Sequence, residues 1–256
     1  EPAVDLAVEV MTDIWERYGH YASFYGWYMS HEPSYLFDSA NGDLYFFNAI
    51  IRRLRHLWPD KVVLIAPTGT PTIDPDAIAR SEPDIYAYQD AVGPGYIPGR
   101  YTYDPENRIA MLDDVFGQYQ QKMASTGKHL WSDFETWQMD GPNYDNAYPA
   151  AWSRVSRQLE ILQKYVSIQS MYAYPGYLDS PESTLRHGGD AAVDLYEGYA
   201  PFARAFLSDK GIVSPSLTSV RSPSKVTAPS AATIGQHLPG QLSGTLDDGT
   251  PVLVPV

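Results

Sequence analysis

The chain has 256 residues, of which 44% are hydrophobic, and its 18 basic and 31 acidic residues give a formal net charge of −13. That charge repels a phosphate backbone, and no apolar run approaches the ~20 residues of a membrane-spanning helix, so we expect neither a nucleic-acid partner nor a membrane span. The chain has no cysteine, which excludes disulfides, thiolate metal sites and cysteine nucleophiles. A cysteine-free chain suits an exported bacterial protein, and we expect a secreted, periplasmic or cell-surface location.

Strand and helix patterns alternate along most of the chain. Apolar residues at helical spacing predict helices, and aromatic and β-branched runs predict strands. The predicted helices span residues 5–18, 45–58, 76–80, 109–124, 149–165 and 191–207, and the predicted strands span residues 24–32, 61–67, 84–90, 128–135 and 166–174. Such alternation predicts an α/β fold whose parallel strands are joined by right-handed crossovers.

Five parallel strands fit two architectures. The first is a (β/α)8 TIM barrel, of which this chain holds the C-terminal five or so β/α units, with the missing N-terminal strands supplied by the rest of the same protein. The second is an open, doubly wound, five-stranded sheet. We favour the barrel, because the chain opens on a helical pattern and closes within an unfinished β pattern.

The aromatic residues divide the chain into two parts. The last of them is Phe206, and the following 50 residues contain none. That tail has short apolar runs and an Asp248-Gly249 turn signal, which are typical of β structure. We therefore predict a TIM-barrel catalytic domain over residues 1–207, incomplete at its N-terminus, and a linker with a truncated β-sandwich module over residues 208–256.

Carboxylates and aromatic rings gather at the predicted strand ends, where parallel α/β folds place their chemistry. Glu32 ends the first strand, Asp90 the third and Glu135 the fourth. Because side chains alternate along a strand, Asp133 shares a face with Glu135, and Tyr28 shares one with Glu32. If these faces point into the barrel, Glu32 and Glu135 converge.

Two carboxyl groups in an aromatic cleft suit glycoside hydrolysis: one protonates the leaving oxygen, and the other attacks the anomeric carbon or positions water there. No cofactor or metal is needed, and we expect none. The alternatives are a helix N-terminal role for Glu32 near Pro33 and Ser34, and a buried salt bridge to an arginine for Glu135. Asp133 lies one layer deeper, so we expect it to support the site rather than react.

Flat rings at or beyond strand ends can stack on sugars, although each could pack in the core instead. The predicted sugar contacts are Tyr88, Tyr96, Trp137, Tyr172 and Tyr174. Asp90 either binds substrate hydroxyls or holds the glycine-rich loop over residues 93–99, which we expect to be a cleft wall or lid. His31 contacts substrate, adjusts the acidity of Glu32, or packs in the strand. The histidines never pair at metal-ligand spacing, and no Gly-x-Ser-x-Gly elbow is present, which disfavours zinc and serine hydrolases.

The segment Trp27-Tyr-Met-Ser-His31-Glu32-Pro33 resembles the Asn-Glu-Pro strand end of clan A retaining glycoside hydrolases, with His31 where the clan has Asn. The segments around Asp90 (Tyr-Gln-Asp-Ala-Val-Gly) and Glu135 (Trp-Ser-Asp-Phe-Glu-Thr-Trp) also resemble a poorly characterised bacterial family of glycosidase-like barrels. The clan carries its acid/base after strand four and its nucleophile after strand seven. If the five strands are strands four to eight, the resemblance implies Glu32 as acid/base and Glu135 as nucleophile on a poly- or oligosaccharide. The alternative is a non-catalytic carbohydrate-binding or scaffolding barrel.

Overall fold

The computed structural model describes residues 2–32, 43–67, 75–97, 102–141, 144–184 and 186–209, and the tail segments 217–220, 241–246 and 251–255. The helices are α1 (Pro2–Tyr18), α2 (Asp43–Leu57), α3 (Pro75–Arg80), α4 (Pro105–Met123), α5 (Trp152–Leu162) and α6 (Gly189–Asp209). The strands are β1 (Gly26–Met29), β2 (Val62–Ile65), β3 (Ile85–Gln89), β4 (Tyr96–Ile97), β5 (Thr102–Tyr103), β6 (His129–Glu135), β7 (Trp137–Gln138), β8 (Tyr148–Pro149), β9 (Gln169–Tyr172), β10 (Leu217–Val220), β11 (Gln241–Leu246) and β12 (Pro251–Pro255).

The main sheet has five parallel strands in the order β1-β2-β3-β6-β9. They are the five predicted strands, and that prediction is confirmed. Because their order in space follows their order in the chain, every crossover runs the same way and the helices collect on one side. A doubly wound sheet would reverse its order at a switch point, so the open-sheet alternative is wrong. The fold is a curled part-barrel of the TIM-barrel-like α/β type.

The two faces of this sheet differ in burial. On the helix side, Tyr88 is fully buried and its ring packs against Phe116 and Tyr119 of α4, at centroid distances of 5.3 and 4.3 Å. On the other side, Tyr28 is 55% exposed and Tyr172 is 60% exposed. We call this second side the concave face; it carries Tyr28, Trp131, Asp133 and Tyr172.

Helix α4 begins at a well-defined cap. The Asp104 side chain accepts a hydrogen bond from the Asn107 amide at 3.1 Å, and Pro105 occupies the first turn, where its missing N–H costs nothing. The helix then buries one apolar stripe, Ile109, Leu112, Val115, Phe116, Tyr119 and Met123. The same stripe carries Arg108 into the interior, where it is fully buried, so the cap fixes the position of a residue used at the site.

The chain divides into two compact units, Glu1–Ala200 and Pro201–Val256. In the second unit, β10, β11 and β12 form an antiparallel three-stranded sheet. The predicted β character of the tail is therefore present, but the described residues show a single sheet and not the two layers of a sandwich. Within the described ranges, no helix combines the length and apolar character that crossing a bilayer requires.

Candidate active site

Glu135 ends β6 in a nearly closed position. Its side chain is 7% exposed, and the Gly93 amide donates a hydrogen bond to Oε2 at 2.6 Å. Among the described residues no hydrogen bond to Oε1 is seen. A Cβ at position 93 would lie 2.9 Å from Oε2 and 2.7 Å from the Trp137 carbonyl oxygen, so only glycine lets this amide approach so closely.

Burial raises the pKa of Glu135 well above its usual value, and the charge of Asp90 raises it further, while the Gly93 hydrogen bond opposes the shift. A carboxyl group with a raised pKa keeps its proton at a pH where an ordinary glutamate is ionised. The arginine salt bridge considered for this residue is absent from the described contacts. Arg154 instead donates to the main-chain oxygen of Glu135, at 3.0 Å.

Arg154, on α5, fixes the main chain at the end of β6. It is 5% exposed and donates to the carbonyl oxygens of Glu135 and Trp137, the latter at 2.6 Å. A third hydrogen bond, 2.6 Å long, reaches Oε1 of Gln158 one helical turn later. Because buried carbonyl groups need donors, this guanidinium determines where the chain leaves the strand.

Asp90 lies on the helix side of the sheet and has no exposed surface. Its carboxylate accepts hydrogen bonds from Gln158 and, at 3.2 Å, from the Val92 amide. Of its two expected roles, the contacts show the loop-holding one; the expected contact with substrate hydroxyls would require the opposite face. Burial raises the pKa of Asp90 to about 6, against the effect of the Gln158 and Val92 hydrogen bonds.

Asp133 lies on the concave face, two residues before Glu135 on the same strand, as the alternation of side chains predicted; its supporting role stays a prediction. Its side chain is partly buried and accepts a hydrogen bond of 3.4 Å from Ser170 Oγ. Burial, followed by the negative charges of Asp90 and Glu32, raises the pKa of Asp133 to about 6. The charge of Glu32, three residues beyond β1, therefore acts on Asp133 of β6.

Tyr28 completes this group. Burial raises the pKa of its phenol, and the neighbouring charges of Asp133, Glu32 and Tyr172 raise it further. We call these four residues, Tyr28, Glu32, Asp133 and Tyr172, the open cluster. Tyr28 was not among the predicted sugar contacts, although its alternation with Glu32 along the strand was the signal that could have identified it.

Glu32 and His31 are both exposed just beyond β1. The His31 ring lies 5.9 Å from that of Phe47 on α2, which agrees with a packing contribution from this histidine. The helix-capping alternative for Glu32 involves Pro33 and Ser34, which lie outside the described residues.

The predicted aromatic contacts separate into exposed and buried rings. Tyr172 and Tyr174 are 60% and 48% exposed, so both can contact a ligand. Trp137 is buried and packs against Tyr144 and Tyr177, at centroid distances of 5.6 and 6.5 Å. Its expected role as a sugar-stacking surface is not supported, because the ring is buried against these two tyrosines.

Two further rings differ from their expected surroundings. Tyr88, expected to contact sugar, is buried against α4 because it lies on the helix face of β3. Tyr96 is partly buried and pairs with Tyr103 in the β4–β5 hairpin. The Gly93 turn at the start of the glycine-rich loop lies beside Glu135; the role of the loop as a cleft wall or lid stays a prediction. Among the described side chains, no three His, Asp or Glu residues are grouped as metal ligands.

Replacing Asp133 by Asn should stabilise the protein above about pH 6 by about 1–3 kcal/mol, at ~1.4 kcal/mol per unit of pKa shift. The pKa of Asp133 is raised in the folded state, so its ionisation opposes folding as the pH rises from about 4 through 6. At about pH 3.5 both forms are neutral and the two proteins should unfold alike. Urea unfolding at both pH values measures the difference; equal stability at about pH 8 would contradict this account.

Carboxyl groups lie at or near the C-terminal ends of parallel strands, on the open side of a curled sheet, and the chain is a part-barrel α/β protein with acidic strand ends. The chain belongs to the family described as a domain of unknown function, DUF4434, whose model matches residues 1–185. No curated protein matches the chain.

Solved structures share the fold. One that matches is the crystal structure of a "putative alpha-L-fucosidase" from Bacteroides thetaiotaomicron, with a TM-score of 0.57 and 19% sequence identity. The match covers 78% of this chain and 61% of the other, so this chain spans about three fifths of that protein's length. At this identity the similarity shows the fold alone.

Proposed function

We propose that the protein is a glycoside hydrolase whose active site lies at the strand ends of the concave face. The observation that carries the proposal is the set of carboxyl groups at the ends of β1 and β6, namely Glu32, Asp133 and Glu135. Their pKa values are linked: the charge of Glu32 raises that of Asp133, and the charge of Asp133 raises that of Glu135. Glycosidic cleavage requires one protonated and one ionised carboxyl group at neutral pH.

Glu135 is the proton donor in this proposal. A buried carboxyl group that retains its proton suits a general acid, and a protonated carboxyl group is a poor nucleophile. The clan resemblance implies the opposite roles, but the burial of Glu135 supports our assignment. Glu32, exposed on the other side of the cleft, is the carboxylate that attacks the anomeric carbon or activates water. Asp133, between them, stabilises the positive charge that develops on the sugar ring.

The exposed rings suggest how the sugar is held. Tyr28 and Tyr172 flank the acidic groups from β1 and β9, and Tyr174 lies two residues beyond Tyr172. Tyrosine rings stack on the apolar faces of sugars while their hydroxyls remain solvated. An α-L-fucoside is the first substrate to test, because a 6-deoxy sugar has a large apolar face and the similar structure carries a fucosidase name.

The test is hydrolysis of aryl glycosides, with an aryl α-L-fucoside included, by the wild-type protein and by Glu32→Gln. We expect turnover that is highest on the acidic side of neutrality and falls by at least about 10²-fold in the variant, since the reactive carboxylate is lost. Glu160→Gln is the matched control, because this exposed carboxylate lies on α5. No turnover of any glycoside would contradict the proposal.

A carbohydrate-binding module is the second candidate, and the burial of Glu135 favours it, because 7% exposure leaves little of the carboxyl group for a substrate. The two functions differ in one result. A binding module would bind a sugar, as measured by calorimetry, with the same affinity in wild-type protein and Glu135→Gln, and neither protein would hydrolyse it.

A further inference from the structure

We infer that Asp90 is a positioning residue that keeps Glu135 as the proton-carrying carboxyl group, an inference that rests on the proposed function. The two residues terminate neighbouring strands, since β3 pairs with β6 and the Asp90 amide donates to the Asp133 carbonyl at 3.2 Å. Asp90 is fully buried on the helix side of the sheet, whereas Glu135 lies on the concave side and is 7% exposed. It can therefore act on the reaction only through the carboxyl groups beside it, Glu135 and Asp133, and the groups that hold them.

The first connection runs through the loop after β3. Asp90 Oδ1 accepts the Val92 amide, and this bond closes a turn in which Ala91 has the positive φ of 55°. Left-handed backbone is unfavourable for alanine and persists only where surrounding contacts hold it. The turn delivers the Gly93 amide to Oε2 of Glu135 at 2.6 Å. Asp90 thereby orients the donor that fixes the carboxyl group.

The second connection runs through α5. Gln158 donates to Asp90 Oδ2 and accepts a hydrogen bond from Arg154, which in turn holds the carbonyl oxygen of Glu135. All four side chains are at most 7% exposed. Asp90 is thus connected to Glu135 by two paths. Gln158 and Arg154 connect it to the main-chain oxygen of Glu135, and the loop after β3 connects it to the Glu135 side chain.

The negative charge of Asp90 affects the protonation of Glu135. The charged groups that act on Glu135 are Asp90 from the end of β3, Asp133 from β6 and Arg154 from α5. Beyond them, Arg108 of α4 donates to the Asp90 carbonyl at 2.6 Å, and the charge of Glu32, three residues beyond β1, raises the pKa of Asp133. Two buried carboxyl groups in one network resist ionising together. A negative charge held on Asp90 by Gln158 and the Val92 amide therefore keeps the proton on Glu135.

Asp90→Asn tests this inference, because it removes the charge and nearly preserves the shape. We expect the midpoint of the Glu135 titration, followed by the ¹³C carboxyl resonance, to fall by about one pH unit or more. The alkaline limb of kcat/KM should move to lower pH by the same amount. KM should change little, since Asp90 does not face the cleft. A structural defect that exposes Glu135 would also lower its midpoint, so the variant must unfold in urea like the wild-type protein for the shift to be assigned to the lost charge.

The double variant D90N/Q158E is the matched rescue. Gln158→Glu supplies an acceptor for the new side-chain amide at position 90 and for Arg154, and returns a negative charge to the network. We expect the midpoint of the Glu135 titration to return towards the wild-type value. If Asp90→Asn alone does not fold, the comparison of the double variant with wild-type protein still tests the inference. An unchanged midpoint in folded Asp90→Asn, or an ordinary glutamate midpoint in the double variant, would overturn the inference.

The readouts separate this inference from the proposed function. The carboxyl titration needs no substrate, so the role of Asp90 can be measured even if wild-type protein hydrolyses nothing. Conversely, hydrolysis with a Glu135 midpoint that is independent of Asp90 would leave the glycosidase proposal intact and refute the role of Asp90.

Discussion

Replacing Glu135 by Gln is expected to lower kcat/KM by about 10²–10⁴-fold for glycosides with poor leaving groups, the usual contribution of a general acid. The amide retains the volume of the carboxyl group but cannot donate the acidic proton to the leaving oxygen. Glycosides whose leaving group departs as a stable anion need no proton, so their hydrolysis should be almost unaffected. Steady-state rates over a series of aryl glycosides measure this dependence on leaving-group pKa.

The comparison with Glu32→Gln makes this result specific. Loss of the attacking or water-activating carboxylate should slow every glycoside to a similar degree, because it does not act on the leaving oxygen. The two variants therefore give different slopes against leaving-group pKa. A uniform loss in Glu135→Gln together with a graded loss in Glu32→Gln would exchange the two roles and restore the assignment implied by the clan resemblance.

Arg154→Met is expected to reduce the free energy of unfolding by about 3–5 kcal/mol, the largest stability change among the substitutions considered. The guanidinium satisfies the carbonyl oxygens of Glu135 and Trp137 and the Gln158 side chain. Methionine fills similar space but leaves these buried acceptors without their donors, and each loses about 1–3 kcal/mol. Urea unfolding at neutral pH measures the difference.

Arg157→Met, one helical turn further along α5, is the control. Arg157 pairs with Glu106 at 2.6 Å, but both side chains are about half exposed or more, so the pair contributes at most about 1 kcal/mol. Equal destabilisation by the two substitutions would show that Arg154 does not determine how the chain leaves β6.

The arrangement of strands and helices could be predicted from the sequence because it depends on local patterns. The alternation of helical and strand periodicity located all five parallel strands, from Gly26–Met29 to Gln169–Tyr172. Turn signals in the tail likewise indicated β structure, which the β10–β12 sheet shows. The right-handed crossovers left two orders of the parallel strands open, and the observed order β1-β2-β3-β6-β9 decides between them.

The faces of the strands were harder to predict. Strand β3 reads Ile-Tyr-Ala-Tyr-Gln and is almost wholly buried, so its composition does not distinguish the helix side from the cleft side. Tyr88 and Asp90 were therefore considered as substrate contacts. In β1, by contrast, the burial alternates, with Trp27 and Met29 inside and Tyr28 outside.

The electrostatics of the site depend on residues far apart in the chain. Arg154 and Gln158 look like the solvent-facing side of an amphipathic helix, yet both are buried beside Val155 and Leu159. Their spacing of four residues was a signal of a shared face, but nothing in the sequence connected them to Asp90, 68 residues away from Gln158. The raised pKa of Glu135 follows from this long-range burial.

The protonation state of Glu135 in the wild-type protein is the most direct test of the account. Its ¹³C carboxyl resonance can be assigned as the signal that Glu135→Gln removes, and then followed from about pH 3 to pH 9. We expect a midpoint well above the ordinary glutamate value of about 4.3, so that the proton donor is still protonated at the pH of maximal activity. A midpoint in the ordinary range, with Glu135 ionised at about pH 5.5, would contradict its role as the acid.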